Sequence, residues 1–214
     1  MTWTLQHLEE HLLIGSTLVE GSTLSEGEAR DVLAGRTISG HPLAEHREIW
    51  NHRAAIAWLI RELSVSPYLS VDLVLGLHRR LLDGLDAEAG GFKSHANFTY
   101  RTDGARYAYL HPALVPDAMS AWVAAFNDAK GPGDAALHAA ELYARLQEIH
   151  PFGDGNGRIG RILMAYFLHW KHNLSFCFYA RDKVTHLHAV EASDSGDLSP
   201  LGEFFRARIS GPEA

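Results

Sequence analysis

The sequence predicts a mainly α-helical fold, a helical bundle that carries one small β-hairpin. Three observations predict it. Apolar residues recur at helical spacing in segment after segment, most clearly in Ile159, Ile162, Leu163, Tyr166, Phe167 and Trp170. Glycine and proline separate these segments, at Gly21, Gly35, Gly40-His41-Pro42, Pro67 and Gly131-Pro132-Gly133. One stretch, residues 90–111, breaks the helical period and places a turn signal, Asp103-Gly104, between two aromatic-rich runs.

Residues 5–20 read as an amphipathic helix with Leu5, Leu8, Leu12 and Val19 as apolar positions and Gly21 as C-cap. A short helix over 26–34 opens with a Ser25/Glu28 capping box and ends at Gly35. A longer helix over 43–63 supplies Ile49, Ile56, Trp58, Leu59 and Ile60 to the core. The next, near 71–84, holds Leu73, Leu77 and Leu81, with His78 and Arg79 read as packing or surface residues. The hairpin runs are Phe98-Thr99-Tyr100-Arg101 and Tyr107-Ala108-Tyr109-Leu110. A lone hairpin is marginal unless it packs on something, and its free edge can accept a partner strand. Helices over 116–128 and 134–149 follow, then two more at 182–193 and 199–209.

Composition narrows the function classes. A chain of 214 residues suits one domain with a substantial core and an appended segment. No apolar run approaches the roughly 20 residues of a membrane span. The start, with Glu9 and Glu10, lacks a signal-peptide pattern, so the expected compartment is the cytoplasm. The single cysteine, Cys177, excludes an internal disulfide and reads as buried rather than reactive. A net charge of −7 argues against broad nucleic-acid binding but leaves room for one small positive pocket. Among 14 histidines, neither His186/His188 nor His169/His172 completes a four-ligand zinc pattern.

The chemistry concentrates in His150-Pro151-Phe152-Gly153-Asp154-Gly155-Asn156-Gly157-Arg158-Ile159-Gly160-Arg161. A helix start leaves backbone N–H groups unpaired, and its dipole favours negative charge. Gly155 and Gly157 let a ligand approach the backbone closely, so the turn is an anion nest suited to phosphate. Arg158 and Arg161, away from the apolar stripe, add two permanently charged forks. Asp154 would repel a phosphate unless a hard divalent cation, Mg²⁺, bridged the two. His150 has an ordinary pKa near neutrality and suits a general base. Together these residues point to nucleophilic attack on a nucleotide phosphate.

The run resembles the signature of Fic-domain proteins, His-x-Phe-x-Asp/Glu-Gly-Asn-Gly-Arg-x-x-Arg, at every specified position. With Gly155-Asn156-Gly157 intact it is similar to the nucleotidyl-transferring branch rather than the Doc-like kinases. The resemblance covers essentially the whole chain. It implies a Fic fold with residues 41–214 as the core and 1–40 as an N-terminal segment. It also implies transfer of AMP from ATP to a hydroxyl side chain of a target protein. His150 would be the base and Asp154 the Mg²⁺ ligand. Gly155, Asn156 and Gly157 would line the phosphates, and Arg158 and Arg161 would neutralise them. The segment 91–110 would be the flap that docks the protein substrate, with Lys93 where relatives carry Arg. His186 stands where relatives often carry a Tyr near adenine.

Ser16-Thr17-Leu18-Val19-Glu20-Gly21 resembles the Fic inhibitory motif, Ser/Thr-x-x-x-Glu-Gly/Asn. That resemblance implies that Glu20, with Ser16 on the same face, pairs with Arg161 and blocks the γ-phosphate position. Ser22-Thr23-Leu24-Ser25-Glu26-Gly27 matches the same pattern, and Glu20 is preferred because it ends a helical pattern. Other readings of the same residues are transfer of another nucleotide, removal of AMP, a non-catalytic binding module and a metal-dependent phosphohydrolase. Self-association through exposed helices stays open.

Overall fold

The computed structural model describes residues 3–129 and 133–210. Gly131 and Pro132, read above as part of a break, lie outside the described residues. The N-terminal helix starts where the Thr4 hydroxyl accepts from the His7 N–H. It runs as α1 (Leu5–Leu8), a π-helical stretch (Glu9–Leu13) and α2 (Ile14–Leu18). The wide turn frees the His11 carbonyl, which accepts from the Phe178 N–H at 2.7 Å. The helix was expected to reach residue 20. It stops at Leu18, and the chain turns through Val19 and Glu20 to Gly21 at φ +103°. Gly15 packs directly on the backbone of residues 178–179, because an added Cβ would lie 2.3 Å from the Phe178 carbonyl oxygen.

Helix α3 (Glu26–Leu33) carries the predicted capping box, with the Ser25 Oγ accepting from the Glu28 N–H and Glu28 reaching back to the Ser25 N–H. The long α4 (Leu43–Val65) and α5 (Val71–Leu81) pack on each other. The antiparallel hairpin pairs β1 (Phe98–Tyr100) with β2 (Arg106–Ala108) in the register Thr99↔Tyr107. Helices α6 (Val115–Asp128), α7 (Ala135–Ile149) and α8 (Asn156–His172) follow, then β3 (Ser175–Phe176), α9 (Lys183–Asp194), α10 (Ser199–Arg206) and β4 (Ile209–Ser210). The last predicted helix is therefore shorter than 199–209. Its tail turns back as β4 to pair with β3, held by Arg208, whose guanidinium donates to both Asp182 oxygens at 2.9 and 2.5 Å.

Periodicity marks one apolar stripe on α8, yet the helix is buried almost all round, from Ile159 through Leu168. It is the centre of the fold, with α7 against it, α2 across its start and α5 on another side. Gly160 admits the Tyr143 ring, since a Cβ there would lie 2.7 Å from that ring. Each large side chain buried along α8 contributes about 1.5–3 kcal/mol. The start of α8, where the signature loop sits, is thus fixed to the best-packed element. Among the described residues, no helix is long and apolar enough to cross a membrane.

Candidate active site

Helix α7 ends at His150, which adopts the left-handed region at φ 46°, ψ 63°. That conformation costs a residue with a Cβ about 1–3 kcal/mol and persists only where surroundings enforce it. The loop then folds on its own side chains. Phe152 is fully buried and stacks on His78, with ring centroids 3.8 Å apart. The Asn156 amide clamps Phe152, its Oδ1 accepting from the Phe152 N–H at 3.0 Å and its Nδ2 donating to the Phe152 carbonyl at 2.9 Å. The amide thus anchors the loop, and the Asn156 backbone begins α8.

His78 packs as expected, buried against Phe152, and it also bonds through both ring nitrogens. Its Nδ1 accepts from the Gly90 N–H at 2.9 Å, which leaves the proton on Nε2 to donate to the Asp154 carbonyl at 3.2 Å. Burial lowers its pKa to about 4, so it stays neutral and keeps that tautomer. One imidazole therefore joins α5, the segment before the hairpin and the signature loop.

The arginines, expected on the polar side of α8, are both buried, each 2% exposed. They diverge to different partners. Arg161 donates from Nε to the Ser16 hydroxyl at 2.8 Å and from Nη2 to the Ser16 carbonyl at 2.9 Å, and forms an ion pair with Glu20. Its guanidinium also lies 4.7 Å from the centroid of Phe178. The Glu20 carboxylate sits over the first turn of α8, since a Cβ added at Gly157 would lie 2.8 Å from its Oε1. An anion therefore already stands at the helix start. Glu26 is elsewhere, exposed and paired with Arg30 at 3.5 Å.

Arg158 donates from Nη2 to Asp154 at 2.8 Å, and its Nη1 lies 3.9 Å from the carboxylate of Glu48 on α4. Its Nε and Nη1 are buried without a hydrogen-bond partner. Buried donors of this kind call for an acceptor. Burial raises the Glu48 pKa, against the pull of Arg158. Sequence reasoning passed over Glu48 because nothing local to α4 marks it. Asp154 projects outward, its side chain 65% exposed, while its Oδ1 accepts from the Gly155 N–H at 2.6 Å. Among the described residues no cluster of three or more His, Cys, Asp or Glu could hold a metal ion. Mg²⁺ needs none, because it binds through one or two carboxylates with phosphates and waters. The exposed Asp154 fits that requirement.

Burial, and next to it the positive charge of Lys93, lowers the His150 pKa to about 4. The imidazole is neutral at physiological pH and free to accept a proton. Its Nδ1 is buried beside the Gln147 backbone, so Nε2 is the nitrogen left to meet a substrate. Tyr109, one residue past β2, stacks on the ring at 3.6 Å and 11°. The hairpin tip is tied to α9, with the Thr102 N–H and hydroxyl donating to Glu191 at 2.8 and 2.6 Å and Arg101 paired with Asp194 at 3.3 Å. His186 lies on α9 with its ring against Tyr143, Phe178 and Phe204, neutral with a pKa lowered to about 3 by burial. A cavity of about 660 Å³ opens beside α7, bounded by Tyr107, Glu148 and Asp194; no residue of the signature loop lines it.

Known proteins share this fold. Residues 68–168 match the model of the Fic/DOC family. The protein adenylyltransferase fic-1 of Caenorhabditis briggsae is 28% identical over 188 residues, covering 86% of this chain and 36% of that relative. The chain thus spans little more than a third of such a relative's length. A Fic domain containing signaling protein from Bacteroides thetaiotaomicron shares the fold with a TM-score of 0.84 at 23% identity, over 95% of this chain and 83% of that one. A Fic-1 fragment from Caenorhabditis elegans does so with a TM-score of 0.77 at 24% identity, over 94% of this chain and 62% of that one. The match covers the helices that carry the loop, and the likeness of fold extends across nearly all of the chain: residues 68–168 match the Fic/DOC family and the chain has the Fic fold.

Proposed function

We propose that the protein transfers AMP from ATP to a hydroxyl side chain of a protein, and that Glu20 restrains the reaction. One observation carries the reading. Arg161, at a helix start built for phosphate, is held by Glu20 and Ser16, while the buried Nε and Nη1 of Arg158 beside it lack acceptors. The C. briggsae relative is named a protein adenylyltransferase, which supports the choice of AMP and of a protein acceptor.

In this reading, the α-phosphate of ATP lies near the N–H groups of Gly155, Asn156 and Gly157. The target segment pairs with the free edge of the hairpin within 91–110, which brings its hydroxyl to His150. His150 Nε2 takes the hydroxyl proton as the oxygen bonds to the α-phosphorus. The bond from that phosphorus to the bridging oxygen breaks, and pyrophosphate leaves. Arg158 and Arg161 hold the negative charge of the departing β- and γ-phosphates. Asp154 would hold a Mg²⁺ ion, which when bound neutralises phosphate charge. Glu20 competes with the terminal phosphate for Arg161, so the resting protein binds ATP in a pose that does not react. The cytoplasm is the compartment this reading assigns.

The test is mass spectrometry of a cell lysate incubated with ATP and Mg²⁺ and either the Glu20→Gly protein or the Glu20→Gly/His150→Ala protein. AMP-modified peptides that need His150 support the reading. Nucleotide binding without modification in either sample contradicts it. Parallel titrations with ATP, GTP and UTP test the adenine assignment, which His186 bears on.

A further inference from the structure

The backbone around His150 is held from outside its own loop. Four carbonyls flank the residue, at Glu148, Ile149, Pro151 and Phe152, and each accepts a hydrogen bond from the segment that forms the hairpin. The Leu110 N–H donates to Glu148 at 3.3 Å and the Lys93 N–H to Pro151 at 2.9 Å. The Lys93 Nζ donates to Ile149 at 3.3 Å and the Asn97 Nδ2 to Phe152 at 3.2 Å. Lys93 Nζ also donates to Asn97 Oδ1 at 2.7 Å, so the two side chains form one unit. Lys93 is 4% exposed. No carboxylate pairs with it among the described residues, so its ammonium is not there for an ion pair. The Ile149 carbonyl and the Asn97 amide are what it was buried to reach.

We infer that Lys93, joined to Asn97, is a positioning residue for His150: it holds the left-handed turn that presents the imidazole, and it sets a positive charge beside that ring. The inference rests on the reading of His150 as the base. Two features give it content. A left-handed residue with a Cβ relaxes unless its neighbours hold it, and the clamp grips the carbonyl on either side of it. The ring is then sandwiched against Tyr109, which the same hairpin delivers. The charged groups that face His150 are Lys93 from before the hairpin, Asp154 from the loop and Glu20 from beyond α2. Of the three only Lys93 is positive; burial is the larger cause of the neutral imidazole, and the Lys93 charge adds to it. The pKa of Lys93 itself falls to about 8 through burial, so the charge is present at neutral pH.

The experiment compares Lys93→Met and Lys93→Arg, each in the Glu20→Gly protein, by ATP titration calorimetry, by rate of AMP transfer and by NMR titration of the His150 ring. Lys93→Met is expected to lower kcat about 100-fold, the effect of displacing a reacting group by about 1 Å, with ATP affinity within about twofold, since Lys93 does not touch the nest. The His150 midpoint is expected to move up from about 4 and to stop short of its ordinary 6.5, because burial, the larger cause, remains. Lys93→Arg keeps charge and donors and is expected to restore both. An unchanged His150 midpoint in Lys93→Met, or a loss of rate that ATP affinity alone explains, overturns the inference. Asn97→Ala is the second variant should Lys93→Met fail to fold. It removes the Phe152 contact and is expected to lower kcat with the midpoint near 4, and an unchanged kcat counts against the clamp. Should the Glu20→Gly protein transfer nothing, the proposed function falls, while the NMR comparison still decides what Lys93 does to His150.

Discussion

On one side of the signature loop, Ser16 and Glu20 hold Arg161 through its guanidinium. On the other, Lys93, Asn97 and Leu110 hold the backbone about His150 through four carbonyls, and Tyr109 covers its ring. Both grips join distant parts of the chain to the same twelve-residue loop, yet a ligand meets them differently. Glu20 meets Arg161 charge on charge, alongside two neutral Ser16 oxygens, and a phosphate offers the guanidinium the same ionic chemistry. The grip on His150 is made of neutral carbonyls and buried donors, for which a nucleotide has no substitute. The first can be displaced by substrate and so suits regulation. The second has to survive substrate binding and so suits catalysis.

The contrast can be broken from either side. The largest effect is expected at His150 itself. In the Glu20→Gly protein, His150→Ala should lower AMP transfer by about 10²–10⁴-fold, the usual worth of a positioned base, while calorimetry shows ATP binding retained. On the other side, Gly15→Ala would drive a methyl into the Phe178 carbonyl and push α2 away from residues 178–179. Overpacking of this kind costs about 1–3 kcal/mol of stability. It should also raise AMP transfer by the otherwise wild-type protein, because Glu20 moves with α2. A lower melting temperature with no gain in transfer would show that the grip on Arg161 does not depend on where α2 sits.

Acid sharpens the comparison further. Unfolded, His78 takes a proton near its ordinary 6.5; folded, it resists until about 4. The folded state therefore binds fewer protons in that window. The stability that the neutral His78 supports is complete above pH 6.5 and is lost as pH falls toward 4, by up to about 3 kcal/mol. His150 shares the window and the sign. Urea denaturation at pH 7 and pH 4.5 should show the loss, and His78→Phe should reduce the difference. The smallest effect is expected at Ser16. Ser16→Ala removes one of the hydrogen bonds to Arg161 and leaves the Ser16 carbonyl and Glu20 in place. The loss would appear as partial release of AMP transfer, short of that in Glu20→Gly.

The helices and the loop were legible because their signals are local. The α8 stripe, the Ser25/Glu28 box and the His150–Arg161 run each lie within one stretch of chain. Two gaps have a physical cause. Periodicity assigns a residue to a side of a helix but not to a depth. Arg158 and Arg161 are therefore placed away from the apolar stripe, while their burial against Ser16, Glu20 and Asp154 goes unmarked. Strands β3 and β4 are two residues each, too short to show a period, and their pairing depends on Arg208 meeting Asp182 across the fold. The rest of the site is nonlocal. His78 joins Gly90 and Asp154, Glu48 faces Arg158 from another helix, and Lys93 reaches Ile149 across 56 positions. No spacing rule marks such contacts, and the Lys93 substitution left its partners open until the fold supplied them.

The competition between Glu20 and the terminal phosphate for Arg161 is tested most directly by one rate comparison. AMP transfer from ATP labelled at the α-phosphate is measured for the wild-type, Glu20→Gly and Glu26→Gly proteins at equal concentration. The account predicts that Glu20→Gly transfers label at least about tenfold faster than wild type, equivalent to about 1.4 kcal/mol, with Glu26→Gly at the wild-type rate. Equal rates for wild type and Glu20→Gly, or activation by Glu26→Gly alone, would contradict it.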